Sequence, residues 1–135
     1  MITLIIPGKP IAKARPRFAR RGKFVNTYST QETEEGKFLL LALSQYGKAE
    51  PLRGALSVSM YFGMPIPKST SNTRSGLMLE GKIHHTKKPD IDNLVKFTLD
   101  ALSGTVFSDD RQIVAVRASK GYDDRPRTEI VIVNK

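Results

Sequence analysis

The chain has 135 residues, enough for one domain over residues 1–135 with a core that needs neither disulfides nor a structural metal. It contains no cysteine, which excludes disulfide frameworks, zinc–thiolate sites and thiol catalysis and suits a reducing cytoplasm. Lysine and arginine total 22 against 13 acids, a net charge of +9. No apolar run approaches the roughly 20 residues needed to cross a bilayer, so no membrane partner is expected.

Ile2 to Ile6 is short, apolar and β-branched, and reads as a buried strand ended by Pro7-Gly8. The charge around it follows the apolar run rather than preceding it, which is not the layout of a signal peptide. Between Met1 and Gln31 there are seven basic residues (Lys9, Lys13, Arg15, Arg17, Arg20, Arg21 and Lys23) and no acid. Residues 9–24 read as a basic loop or extended arm. Such a field attracts polyanions, because each neutralised phosphate releases condensed counterions. Basic segments that lie on membranes are usually amphipathic helices. Pro10, Pro16 and Gly22 break a helix here, which favours nucleic acid over lipid.

Ser29-Thr30-Gln31-Glu32 has the form of a capping box. A helix is expected from it to about Tyr46, burying Phe38, Leu39, Leu41 and Ala42, with Gly47 as its stop. Leu56, Val58, Met60 and Phe62 alternate with Ser57, Ser59 and Tyr61, the period of a half-buried strand. Residues 65–88 lack periodicity and read as a long mobile loop. A second helix is expected from about Asp90 to Leu102, with Ile91, Leu94, Val95, Thr98, Leu99 and Leu102 inward and Ser103-Gly104 at its end. Phe97 falls outside that stripe, which leaves a core position, a place beneath a loop and a dimer interface open. Ile113–Ala118 and Thr128–Val133 read as strands joined in a hairpin around residues 121–127. The order β-α-β-α-β-β predicts the α/β (α+β) class: one mixed sheet with two helices packed on it.

In a chain this basic, clustered acids call for a reason. Asp90 and Asp92 flank Ile91 at the start of the second helix, and Asp109-Asp110 precedes the next strand. Asp92, Lys96 and Asp100 form one stripe at i, i+4 and i+8, away from the Leu94 and Leu99 face. Taken singly, each has a structural explanation. Asp90 suits an N-cap, Asp92 a helix N-terminus or an ion pair with Lys96, and Asp109-Asp110 a turn. Together they point elsewhere, because carboxylates in a DNA-binding surface repel phosphate unless a cation lies between. Such hard oxygen ligands suit Mg²⁺, with Mn²⁺ as a substitute.

The run Asp90-Ile91-Asp92-Asn93-Leu94-Val95-Lys96, then Asp100-Ala101-Leu102, then Asp109-Asp110, resembles the signature of the RusA-type Holliday-junction resolvases. Gly8-Lys9-Pro10, followed by Lys13, Arg15, Pro16 and Arg17, is similar to the opening of many such proteins. The resemblance implies a dimeric, Mg²⁺-dependent endonuclease that nicks four-way DNA junctions symmetrically. It implies Asp90, Asp92 and Asp110 as metal-binding carboxylates and Lys96 as the catalytic lysine. Asp109 and Asp100 match acidic positions without an assigned role, although Asp100 suits holding Lys96. Segment 65–88 departs from the family's pattern as an insertion before the motif.

Lys13, Arg15, Arg17, Arg20, Arg21, Lys87 and Lys88 are the expected DNA contacts. His84-His85, without cysteine or a further histidine, reads as phosphate contact or simple exposure rather than a zinc site. Phe97, Ile130 and Ile132 are candidate material for a homodimer interface. The competing readings are a non-catalytic nucleic-acid-binding module and a metal nuclease acting on RNA or flaps.

Overall fold

The alternating segment forms the strand around which the sheet is assembled. A computed structural model describes residues 1–14, 17–21, 24–28 and 32–135. In it Leu56–Pro65 is a ten-residue strand, here termed β4, with Leu56, Val58, Met60, Phe62 and Met64 all turned into the core. Two strands flank it: Arg127–Asn134 (β6) antiparallel on one side, and Ile113–Asp123 (β5) parallel on the other. Ile2–Pro7 (β1) pairs antiparallel with β6, giving the order β1-β6-β4-β5. The sheet is therefore mixed, as the sequence predicts.

Helices Glu32–Tyr46 (α1) and Ile91–Leu102 (α3) pack on the face carrying Leu4, Val58, Met60, Ile130 and Ile132. They meet through Phe38 and Phe97, whose rings stand edge to face with centroids 5.5 Å apart. α1 ends at Tyr46, where Gly47 takes φ +67 and donates its N–H to the Leu43 carbonyl. The expected capping box at Ser29, Thr30 and Gln31 lies outside the described residues. Late in α1, the Gln45 amide reaches sideways to β1. Its Oε1 accepts from the Ile5 N–H at 2.7 Å and its Nε2 donates to the Ile5 carbonyl at 2.6 Å. No helix among the described residues is long and apolar enough to cross a membrane.

Several expectations need correction. β5 and β6 do not form a hairpin, because β4 lies between them. Residues 124–126 instead carry the chain across the end of β4, over Gly63. A Cβ at Gly63 would lie 3.0 Å from the Asp123 Cβ, so the crossing depends on a residue without one. The basic arm is not all loop: Arg17–Arg21 (β2) and Phe24–Tyr28 (β3) pair antiparallel as a separate two-stranded sheet. Nor is 65–88 a bare loop. It holds helix Asn72–Leu79 (α2), which Ser71 caps by accepting the Arg74 N–H and which Met78 anchors in the protein. Within α1 the inward face is Phe38, Ala42 and Tyr46, leaving Leu41 41% exposed. Within α3 Ile91 is 37% exposed, whereas Phe97 is 1% exposed and belongs to the core.

Candidate active site

Asp90 is the N-cap residue of α3, with extended backbone (φ −69, ψ 146), and its side chain makes no capping hydrogen bond. The usual work of an aspartate there is to accept a free helix N–H. This carboxylate is left exposed and available. Asp92, two residues on in the first turn, is also exposed, and its Oδ1 accepts the neighbouring Asn93 N–H at 2.9 Å. Both carboxylates lie at the N-terminal, positive end of the helix dipole.

The turn that delivers Asp90 is fixed from β5. Lys120 Nζ donates to the carbonyls of Lys87 and Pro89, both at 2.8 Å. Sequence reading missed this residue, since a lysine on an edge strand looks like an ordinary solvated charge. Next to it His85 is buried, its ring 4.9 Å from that of Tyr122 and its Nδ1 without a hydrogen-bond partner. Burial, and then the charges of Lys120 and Lys87, push the His85 pKa below its ordinary value. His85 is thus buried rather than simply exposed, whereas His84 is exposed.

Lys96 lies on the Asp92 stripe with its side chain 62% exposed, 3.4 Å from Asp100 Oδ2. Asp100 therefore does hold Lys96, but it is shared. Lys13 Nζ also reaches Asp100 Oδ2 at 3.2 Å and Glu35 Oε1 at 2.6 Å, and the Lys13 backbone N–H donates to the Asn93 carbonyl. The Glu35 hydrogen bond raises the Lys13 pKa, with burial opposing it and Asp100 adding to it. Lys13, expected to contact DNA, ties the start of the arm to α1 and α3. Arg17, Arg20 and Arg21 lie on β2, Arg15 falls outside the described residues, and Lys87 and Lys88 are exposed just ahead of Asp90.

Asp109 and Asp110 are elsewhere. They open a short 3-10 turn, Asp110–Gln112, at the start of β5. Asp109 is fully engaged in a capping box: its Oδ1 accepts the Arg111 N–H, and its own N–H donates to Gln112 Oε1, both at 2.9 Å. The Arg111 backbone bond, with contributions from Asp110 and the Arg111 side chain, holds the Asp109 carboxyl below its usual range. Asp110 is exposed. Twelve residues of α3 put about 18 Å between its ends at 1.5 Å per residue. Seven steps of β5, from Ile113 to Lys120, span about 23 Å. The Lys120 contacts place Asp90 near one end of this frame, and the 3-10 turn lies at the other. Among the described residues no three carboxylate or histidine side chains gather closely enough to hold one metal ion. Asp92 and Lys96 share one stripe of α3 with Asp90 at its N-cap, and Asp110 of the same chain lies apart from them beyond the far end of the helix. The donor set at Asp90 and Asp92 is exposed, hard and anionic, which fits a divalent cation that keeps waters and takes further oxygens from phosphate.

A basic α+β chain with paired carboxylates at a helix start has the features of a nucleic-acid-cutting enzyme, and comparison with known proteins agrees with that class. The family described as "Endodeoxyribonuclease RusA" matches residues 7–133. The chain belongs to the RusA endodeoxyribonuclease family. It is also 33% identical over 134 residues to "Uncharacterized protein YqaN" of Bacillus subtilis (strain 168), covering 97% of this chain and 94% of that protein.

Proposed function

We propose that this protein is a divalent-metal-dependent endonuclease that resolves four-way DNA junctions by paired, symmetric nicks, as a homodimer. The observation that carries the reading is the exposed Asp90 and Asp92 pair, without a capping role for Asp90, beside Lys96 in a chain of net charge +9. Asp90 and Asp92 would hold Mg²⁺ or Mn²⁺. That ion, when bound, supplies a lowered pKa for attacking water and neutralisation of phosphate charge. The residues themselves do the positioning. Lys96 presents a fixed ammonium to the scissile phosphate, and the arm around β2 supplies sequence-independent affinity for DNA backbone. Lys120 keeps the 87–89 turn, and with it Asp90, in place.

Asp110 enters through the dimer. If all three aspartates serve one metal, the separation along α3 requires that Asp110 come from a second copy. Two-fold pairing then makes two such sites, one for each strand of a junction. The dimer surface is not built from Phe97, Ile130 and Ile132, which are all core residues. Exposed apolar side chains are found on α1 at Leu40, Leu41 and Leu43 and on β5 at Val114 and Val116. The experiment is incubation of the purified protein with a mobile four-way junction, with Mg²⁺ or with chelator, resolved on a sequencing gel. Mg²⁺-dependent cuts at symmetric positions on two strands of like polarity are expected. Tight binding without cleavage at any metal concentration would leave the binding-module reading in its place.

A further inference from the structure

Segment 65–88 and the end of β5 enclose a cleft of about 470 Å³. Its lining includes Arg74, His84 and Lys87, the hydroxyls of Ser71 and Thr86, and Tyr122, and it contains no carboxylate. Neither Arg74 nor Lys87 has an ion-pair partner among the described residues. A concave surface with two unpaired cations, several hydroxyl donors and no acid is complementary to a phosphodiester. Position adds a second argument. Tyr122 is two residues beyond Lys120 on β5, about 7 Å along the strand. Lys120 in turn holds the Lys87 and Pro89 carbonyls, and Lys87 is three residues ahead of Asp90. The cleft therefore adjoins the turn that delivers the proposed catalytic carboxylate. Tyr122 is itself fixed by the buried His85 ring behind it, so it offers a set surface for a sugar or base.

We propose that this cleft binds the sugar–phosphate backbone of the DNA strand being cut, with Arg74 and Lys87 holding one phosphodiester close to the scissile one. The proposal rests on the nuclease reading and adds to it a role for the inserted segment. It gives 65–88 a function distinct from the general affinity of the basic arm, because one linkage at a set distance from the cut is gripped.

The test uses the full chain and junctions carrying a single neutral methylphosphonate, moved one linkage at a time through the nucleotides around the cut. For the wild-type protein, neutralising one linkage within a few nucleotides of the cut should weaken binding by about tenfold or more, the loss expected for one charge-assisted contact. Arg74→Gln, an exposed position whose change leaves the core intact, should weaken binding to the natural junction by a similar factor. Its sensitivity should fall at that linkage alone, since the two changes weaken the same contact. Lys87→Gln should lose sensitivity at the same linkage, and the double variant, which gives up that one phosphate contact, should lower the salt slope by about 0.7–0.9. Wild-type affinity in both variants, or penalties that multiply at every linkage, overturns the cleft while cleavage by the wild type still stands. A wild-type chain that neither binds nor cuts a junction overturns the nuclease reading and the cleft with it.

Discussion

Asp90 and Asp92 at the start of α3, and Asp109 and Asp110 beyond its end, are alike in composition and opposite in circumstance. At the first end Asp90 caps nothing, and the turn before it is clamped by Lys120. At the second, Asp109 is held by two backbone hydrogen bonds and its paired Arg111, and serves the local turn. Asp109 is thus engaged by its own backbone, whereas Asp90 is left without a capping bond and exposed in a strongly basic chain. The comparison also shows that a motif continuous in sequence need not be continuous in space: α3 acts as a spacer of about 18 Å within it.

The sharpest way to break this comparison is complementation. Asp90→Asn and Asp110→Asn homodimers should each lose cleavage, by roughly a thousandfold or more, while still binding junctions. Co-assembled as a mixed dimer, one subunit of each, they should recover nicking at a single site, because one of the two shared sites is then intact. A cruciform plasmid would give nicked circles but no linear product. Failure of the mixed dimer to cut shows that Asp110 acts within its own chain, and cleavage by the Asp110→Asn homodimer shows that it does not act at all.

Lys96→Ala should come next in size. Loss of one preorganised charge at the reacting phosphate commonly costs roughly 10²–10³ in rate. Binding should change little; if binding and cutting fall together, Lys96 is a docking residue.

Lys120→Met tests whether the clamp gives the first end its character. Releasing the two carbonyls should slow cleavage by roughly tenfold, about 1.4 kcal/mol, with little change in junction affinity. Lys120→Arg should restore part of the rate. Unchanged cleavage in Lys120→Met would show that the turn holds itself.

The smallest effect on activity is expected from an engaged carboxylate at the end of β5, three residues beyond Lys120. Asp123 accepts from the Tyr61 hydroxyl at 2.9 Å and pairs with Arg127 at 2.9 Å. Burial works to raise its pKa, but hydrogen bonds from the Arg125 backbone, Tyr61 and Arg127 prevail and hold it at about 2. The same burial, with Asp123 beside it, pushes Tyr61 up to about 12. With its pKa depressed in the folded state, Asp123 contributes stability that is fully present above its ordinary value of 3.8 and is lost as pH falls toward 2. Asp123→Ala should destabilise by roughly 2 kcal/mol, flatten the acid limb of a thermal-denaturation series between pH 4 and 2, and leave cleavage at neutral pH nearly intact. A variant that keeps its stability but loses activity would move Asp123 into the site.

What could be read from the sequence follows from how far each signal reaches. β4 and α3 were legible because alternation and helical spacing are local, and the same spacing placed Asp92, Lys96 and Asp100 on one stripe. The strand order was not. Two consecutive strands with a short connection look like a hairpin, and only the glycine at 63 hints that the chain crosses over β4. α2 escaped because its apolar residues, Leu77, Met78 and Leu79, are consecutive and show no period over eight residues. Lys120 carries no sequence signal, and Lys13 reads as a DNA contact, because their partners are backbone carbonyls and acids more than twenty residues away. The distance from Asp90 to Asp110 depended on the direction of α3 against β5, which no spacing rule supplies.

Gln45 bears on a different matter, the behaviour of this sheet in a crowded cell. β1 is an edge strand, and an edge with free N–H and C=O groups is a template on which another chain can add a strand. The Gln45 amide, itself an N–H and C=O pair, occupies those groups at Ile5 as a peptide would. An incoming strand would have to displace two hydrogen bonds and pass the end of α1 before it could extend the sheet from β1. Growth of the sheet is thereby hindered at Ile5 on that side, while β5 forms the opposite margin.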